Sequence, residues 1–157
     1  MNNIYHCLIF EQNDFFKNQT IEELLRERAN YYIEKNRKND FWILIEPDFL
    51  KNDSLNNLLS ETNYLLNKKN KYKTDSNVNT LIPLCVLIST DFEFIKWIKL
   101  RIGYFETLDN LLSDLKLKSD GIYITLENKN TKTILKDNPI SLSPNILVEQ
   151  FKMLSFK

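Results

Sequence analysis

Glycine occurs only twice in this 157-residue chain, at Gly103 and Gly121. Two glycines so far apart exclude a glycine-rich phosphate loop, which needs them clustered so that backbone N–H groups can approach a phosphate. His6 is the only histidine, and Asn3 stands three residues before it. That excludes the paired Glu-x-x-His helices of a carboxylate di-metal centre, and no zinc-ligand spacing replaces it. Cysteine–histidine catalysis would pair His6 with Cys7, yet neighbours in a strand point to opposite faces. The two cysteines, Cys7 and Cys85, lie in apolar runs and read as packed thiols of a reducing compartment. Lys+Arg and Asp+Glu are both 21. Without a basic excess there is no reason to expect nucleic acid as a partner. No apolar run approaches the roughly 20 residues of a membrane span. The start, MNNIYHCLIF, lacks the marks of a signal or transit peptide, so the protein is expected to work where it is made.

What is present reads as one domain, 1–157. Asn, Lys, Ile, Leu, Phe and Tyr dominate, and alanine occurs once, at Ala29. That bias suits an organelle genome or an AT-rich microbe. The chain is organised around Leu84 to Tyr104. Leu84 to Ile88 is a continuous apolar run of strand length, as in a strand covered on both faces. Thr90 and Glu93 form a capping box that opens a helix. At about 100° per residue, Glu93, Lys96, Lys99 and Gly103 share one narrow wet stripe. Phe94, Ile95, Trp97, Ile98, Leu100, Ile102, Tyr104 and Phe105 fill the rest, so a mostly buried helix is expected. Arg101 points into that apolar arc, between Phe94 and Trp97. A charge there needs a carboxylate partner or a route to the surface.

Ile4 to Phe10 reads as a first strand, with His6 as a hydrogen-bonded ring. Thr20 to Glu23 is a second capping box, and its helix runs to about Asn36. Ile21, Leu24, Leu25 and Tyr32 form its core face, with Arg28 near the middle. Phe41 to Ile45 is a second strand, apolar on both faces and ended by Pro47. Phe41, Ile43 and Ile45 share one face, and Trp42 and Leu44 the other. Asp40, at the strand mouth, is a candidate mate for Arg28 or Arg101, with Glu46 and Asp48 as alternatives. Ser54 to Asn67 is a weaker helix with a leucine stripe. Lys68 to Thr80 reads as a long exposed loop. Thr107 to Leu117 reads as helical, Gly121 to Leu135 as a hairpin, and Asn145 to Leu154 as a short helix.

Asp40-Phe41-Trp42-Ile43 with Pro47-x-Phe49-Leu50, then Ser89-Thr90 leading to Phe94-Ile95-x-Trp97-Ile98-Lys99-Leu100-Arg101-Ile102-x-Tyr104, resemble one family. So does Leu25-Arg26-Glu27-Arg28. It is the hypothetical chloroplast reading frame fifty-four family of cyanobacteria and plastids. The match covers about Ile4 to Leu59 and Leu81 to Phe105. It implies an α+β fold of the PsbP-like type, an antiparallel sheet flanked by helices on both faces. It implies a non-catalytic assembly or stability factor, with no cofactor, for the oxygen-dependent magnesium-protoporphyrin IX monomethyl ester cyclase of chlorophyll biosynthesis. The implied partner is the di-iron catalytic subunit. Further chlorophyll-synthesis enzymes, and membrane association through the partner, stay open. The implied location is the plastid, with plastid encoding, or alternatively the cyanobacterial cytoplasm.

The family's partner-contact positions match Asp40, Phe41 and Arg101, with Arg28, Trp42 and Trp97 as supporting residues. Two departures stand out: 61–80 reads as an inserted loop, and 106–157 as an extended tail outside the match. The main rival is a tetrapyrrole-binding carrier, with a cleft lined by Trp42, Trp97 and Tyr104 and with Arg28 or Arg101 meeting a propionate. An enzyme is third, and would need a perturbed titratable group near His6 or Asp40.

Overall fold

The computed structural model describes residues 3–51, 57, 59, 62, 64–66, 68, 82–103, 105–107 and 121–128. Its elements are β1 (Asn3–Glu11), α1 (Gln12–Phe16), α2 (Gln19–Lys35), β2 (Phe41–Ile45), a 3-10 turn (Asp48–Lys51), β3 (Leu84–Ser89), α3 (Phe92–Ile102), β4 (Phe105–Thr107) and β5 (Gly121–Asn128). The strands form one sheet in the order β2-β3-β1-β5-β4. Neighbours from β2 to β5 run antiparallel, and β4 joins β5 in parallel. The class is therefore α+β, as expected.

The apolar runs of β1 and β3 follow from covering both faces. Alternation sends Leu8, Phe10, Cys85 and Leu87 to one side, against α1, α2 and α3. It sends Cys7, Ile9, Val86 and Ile88 to the other, where Leu50, Leu59, Tyr64 and Leu65 meet them. Phe10, Phe15 and Phe41 are at most 1% exposed, and burial of each side chain stabilises the fold by about 1.5–3 kcal/mol.

Two boundary expectations shift by a few residues. Asn18, not Thr20, caps α2, its side chain accepting from the Ile21 N–H. Asp91, not Thr90, caps α3, accepting from the N–H groups of Glu93 and Phe94. The Thr90 N–H instead donates to the Asp40 carbonyl. In both cases an amide or carboxylate oxygen takes the cap in place of a threonine hydroxyl, in line with the preference for Asn and Asp there.

Parts of the expected inserted loop and of the expected tail pack into the fold where the structure describes them. Thr62, Tyr64, Leu65 and Lys68 are buried. Lys68 reaches Glu11 at 3.0 Å and Asp14 at 2.6 Å. The Tyr64 hydroxyl accepts from the Glu11 N–H and donates to Asp14. Most of Lys68–Thr80 lies outside the described residues. Within 106–157, β5 is part of the sheet: it pairs with β1 over seven residues from Asn3↔Asn128 to Ile9↔Ile122 and buries Ile122 and Ile124. The hairpin partner at 132–135, and the helices expected over 108–117 and 145–154, lie outside the described residues, and Thr107 itself is in a strand.

Both glycines have a structural reason. Gly103 ends α3 at φ 136°, where a side chain would be strained. A Cβ on Gly121 would lie 2.7 Å from the Phe105 ring and 3.0 Å from the Ile9 carbonyl oxygen, so only glycine lets β4, β5 and β1 approach this closely.

Candidate functional site

The mouth of β2 is built by local chemistry at the end of α2. Asn36 closes the helix in the left-handed conformation at φ 50°, and the chain turns through Arg37–Asn39. The Asn39 side-chain amide then donates to the Phe41 carbonyl at 2.6 Å. The buried Ser89 hydroxyl donates to the Asp40 carbonyl at 2.8 Å and accepts from the Asp91 N–H at 3.0 Å. One serine thus ties the start of β2 to the start of α3.

Arg28 spans the same junction. Its Nη2 meets Asp91 Oδ2 at 2.9 Å and Asp40 Oδ2 at 3.4 Å. Its Nε donates to the Tyr32 hydroxyl at 2.7 Å, one helical turn on. The Tyr32 hydroxyl in turn donates to Asp40 Oδ1. The guanidinium lies 4.6 Å from the Phe94 ring centroid and 4.9 Å from that of Tyr32. Beneath them Phe41 packs on Phe94 at 5.3 Å and on Tyr32 at 6.0 Å. Burial works against the Arg28 charge, but Tyr32, Asp40 and Asp91 outweigh it and the net direction is upward. Burial, then the bond to Asp40, push the Tyr32 phenol up. Tyr32 stays neutral and Arg28 charged throughout the physiological range.

The outer arc of α3 is open. Only Phe94, Ile95 and Ile98 are buried, while Trp97 is 40% and Leu100 77% exposed. This corrects the expectation of a mostly buried helix. The wet face takes in Phe92, Glu93, Lys96, Trp97, Leu100 and Arg101, because the sheet and α2 together cover only the opposite arc. Arg101 is exposed and forms no salt bridge among the described residues, so it takes the route to the surface. Asp40 therefore belongs to Arg28, and of the alternatives Glu46 is exposed while the Asp48 side chain lies outside the described residues.

The expected site residues divide accordingly. Asp40, Arg28, Phe94 and Trp97 come together, with the Trp97 ring tilted at 37° to that of Phe94 and 6.4 Å from it. Arg101 lies on the same flank of α3. Phe41, expected as a partner-contact position, is fully buried, and its ring is the floor under the clamp. Trp42 packs on the opposite face of the sheet, because it alternates with Phe41. A cleft lined jointly by Trp42 and Trp97 is not formed, and Tyr104 lies outside the described residues. Asp91, Tyr32 and Ser89 were missed. Arg28 and Tyr32 stand four apart on one helix, which was the available signal for that pair; the meeting of Asp91 with Arg28 has no local signature.

Among the described residues, no group of three His, Cys, Asp or Glu is placed to hold a metal ion, and no helix is long and apolar enough to cross a membrane. The chemistry on offer is ion pairing, cation–π contact and apolar burial.

Fold and site define a small α+β protein that presents an arginine–carboxylate clamp beside an exposed tryptophan, leucine and arginine. Its relatives share that scale. A family model described as Ycf54 protein matches residues 3–109. The uncharacterized protein ycf54 of Porphyra purpurea is 31% identical over 122 residues, covering 76% of this chain and 94% of the relative. That of Pyropia yezoensis is 30% identical, covering 78% and 93%. The chain belongs to the Ycf54 family. The solved structure of the Ycf54 protein from Synechocystis sp. PCC6803, at 21% identity, superposes with a TM-score of 0.53 over 87% of this chain and 95% of that one. Red algal and cyanobacterial relatives fit a plastid or cyanobacterial origin.

Proposed function

We propose that this protein is a non-catalytic assembly and stability factor for the oxygen-dependent magnesium-protoporphyrin IX monomethyl ester cyclase, working in a plastid or a cyanobacterial cell. It acts by binding the di-iron catalytic subunit through the outer flank of α3. Membership of the Ycf54 family supports this reading, together with the resemblance carried by the Asp40-Phe41-Trp42 and Trp97 to Arg101 blocks. The observation that carries it is the exposure of Trp97, Leu100 and Arg101 side by side, next to a clamp whose own arginine is already paired. An exposed aromatic and leucine beside a guanidinium with no ion pair among the described residues have the composition of an interface core, and energetic hot spots favour Trp and Arg. In this reading Asp40 and Arg28 hold the flank in shape, and Phe41 supports it from beneath.

The test is affinity purification of the tagged protein from its own photosynthetic cells. Recovery of the di-iron subunit, lost with Arg101→Ala in a protein that unfolds at the same denaturant concentration as the parent, is the expected result. Undiminished recovery with both Arg101→Ala and Trp97→Ala overturns the assignment of this flank. Recovery of pigment without the cyclase points instead to the tetrapyrrole carrier.

A further inference from the structure

The opposite flank of α3 carries a second cluster that the clamp does not use. Lys99 reaches across to β5, and its Nζ lies 4.1 Å from the Tyr123 ring centroid. The Tyr123 hydroxyl is 2.9 Å from His6 Nδ1. The two rings lie parallel, with centroids 6.3 Å apart. Phe92, from the first turn of α3, packs against His6 with ring centroids 5.0 Å apart. Three chain-distant elements thus converge: β1 and β5 because His6 and Tyr123 fall on the helix-covered face of the sheet, and α3 because Phe92 and Lys99 lie seven residues apart on one side of the helix.

The charge in this cluster has no acidic partner among the described residues. Lys99 is half-buried and forms no salt bridge among the described residues. Burial alone pushes its ammonium down. His6 is pushed down by burial too, opposed by the charge of Asp91, which Arg28 already holds. A partly desolvated ammonium with no acid beside it among the described residues is a standing cost that an arriving anion relieves. The surroundings say more about the visitor. Phe92 is 45% and Ile4 47% exposed, and Ile4 lies two residues along β1 from His6, on the same face. A bare inorganic anion would use the ammonium and leave those apolar surfaces in water.

We propose that Lys99, Tyr123, His6 and Phe92 form a second binding site, separate from the partner-binding flank, which takes the carboxylate of a small aromatic or apolar acid. Lys99 supplies the charge, the Tyr123–His6 pair supplies polar contacts, and Phe92 with Ile4 covers the apolar body.

His6 is the only histidine, so its ring resonances report on this site alone. The full chain is titrated with benzoate, acetate and inorganic phosphate while those resonances are followed by NMR. Benzoate is expected to give a saturable shift and to raise the apparent His6 pKa, because a bound anion favours the imidazolium. Lys99→Met is expected to weaken benzoate about tenfold, the loss of one charge-assisted contact. Phe92→Ala is expected to weaken benzoate but not phosphate. Both side chains are partly exposed, so the variants keep the fold. No saturable response to benzoate, or one unchanged by Lys99→Met, overturns the site. Equal affinity for phosphate and benzoate overturns the apolar part of the assignment.

Discussion

Arg28→Met should destabilise the protein by about 2–3 kcal/mol. The figure comes from where the clamp sits between two regimes. Breaking a buried ion pair costs roughly 3–5 kcal/mol, whereas an exposed pair contributes about 0.2–1 kcal/mol. The side chains here are 20% exposed for Arg28, 31% for Asp40 and 35% for Asp91. Water reaches the carboxylates and softens their loss, but the cation stacked on Phe94 and Tyr32 adds about 0.5–2 kcal/mol. In urea this corresponds to a midpoint lower by about 1–2 M at unchanged slope. Arg28→Lys should recover only part of the loss, since an ammonium cannot reproduce the fork that bonds Tyr32 and Asp91 together. Asp91→Asn keeps a competent helix cap while removing the charge. The double variant should therefore be less destabilised than the sum of the singles, by about 1 kcal/mol. A loss below about 0.5 kcal/mol for Arg28→Met, or strict additivity with Asp91→Asn, would refute the clamp as a structural unit.

Gly121→Ala should cost about 1–3 kcal/mol through overpacking against Phe105 and the Ile9 carbonyl; thermal melts matching the parent would show that β4 can yield. Lys68→Met should cost about 3 kcal/mol, because it removes the ammonium 3.0 Å from the buried Glu11 carboxylate. Denaturation as late as the parent would mean that the pair is dispensable. The pH dependence of His6 has a definite sign. Its folded pKa is lowered from 6.5, so its contribution is fully present above 6.5 and is lost as pH falls from there through the folded value. Relative to His6→Gln, the parent should lose stability between neutral and mildly acidic pH, and a relative gain would contradict burial of the neutral ring.

The sheet was legible in the sequence wherever burial made the strands apolar on both faces. β1, β2 and β3 follow from their unbroken runs, and α2 and α3 from caps and periodicity. What failed was anything that depended on which elements meet. The arc of α3 containing Trp97, Leu100 and Arg101 looks like core on a helical wheel, because the wheel shows chemistry and not coverage. Only the placement of α2 and the sheet decides that this arc stays open. Phe41 and Trp42 were both expected near the partner surface, yet alternation alone sends them to opposite faces. Lys68 read as solvated because its neighbours in sequence are polar; its partners Glu11 and Asp14 are more than fifty residues away. β5 was assigned to a tail because nothing in Gly121 to Leu126 names β1 as its neighbour.

The two flanks of α3 meet at one residue. Asp91 Oδ1 caps the helix while Asp91 Oδ2 holds Arg28, and the charge of Asp91 also reaches His6 on the other side. The first turn it fixes carries Phe92 for one flank and Phe94 for the other. Two substitutions separate its roles. Asp91→Asn removes the charge seen by Arg28 and His6 and leaves the cap. Asp91→Ala removes both, and the difference between the two variants is the cap alone, about 1 kcal/mol. If the flanks communicate through the position of the first turn, Asp91→Ala should disturb both the His6 resonances and the recovery of the partner, while Asp91→Asn should disturb them less. If they communicate only through charge, the two variants should act alike on His6, and its pKa should fall in both, since the one influence raising it is gone.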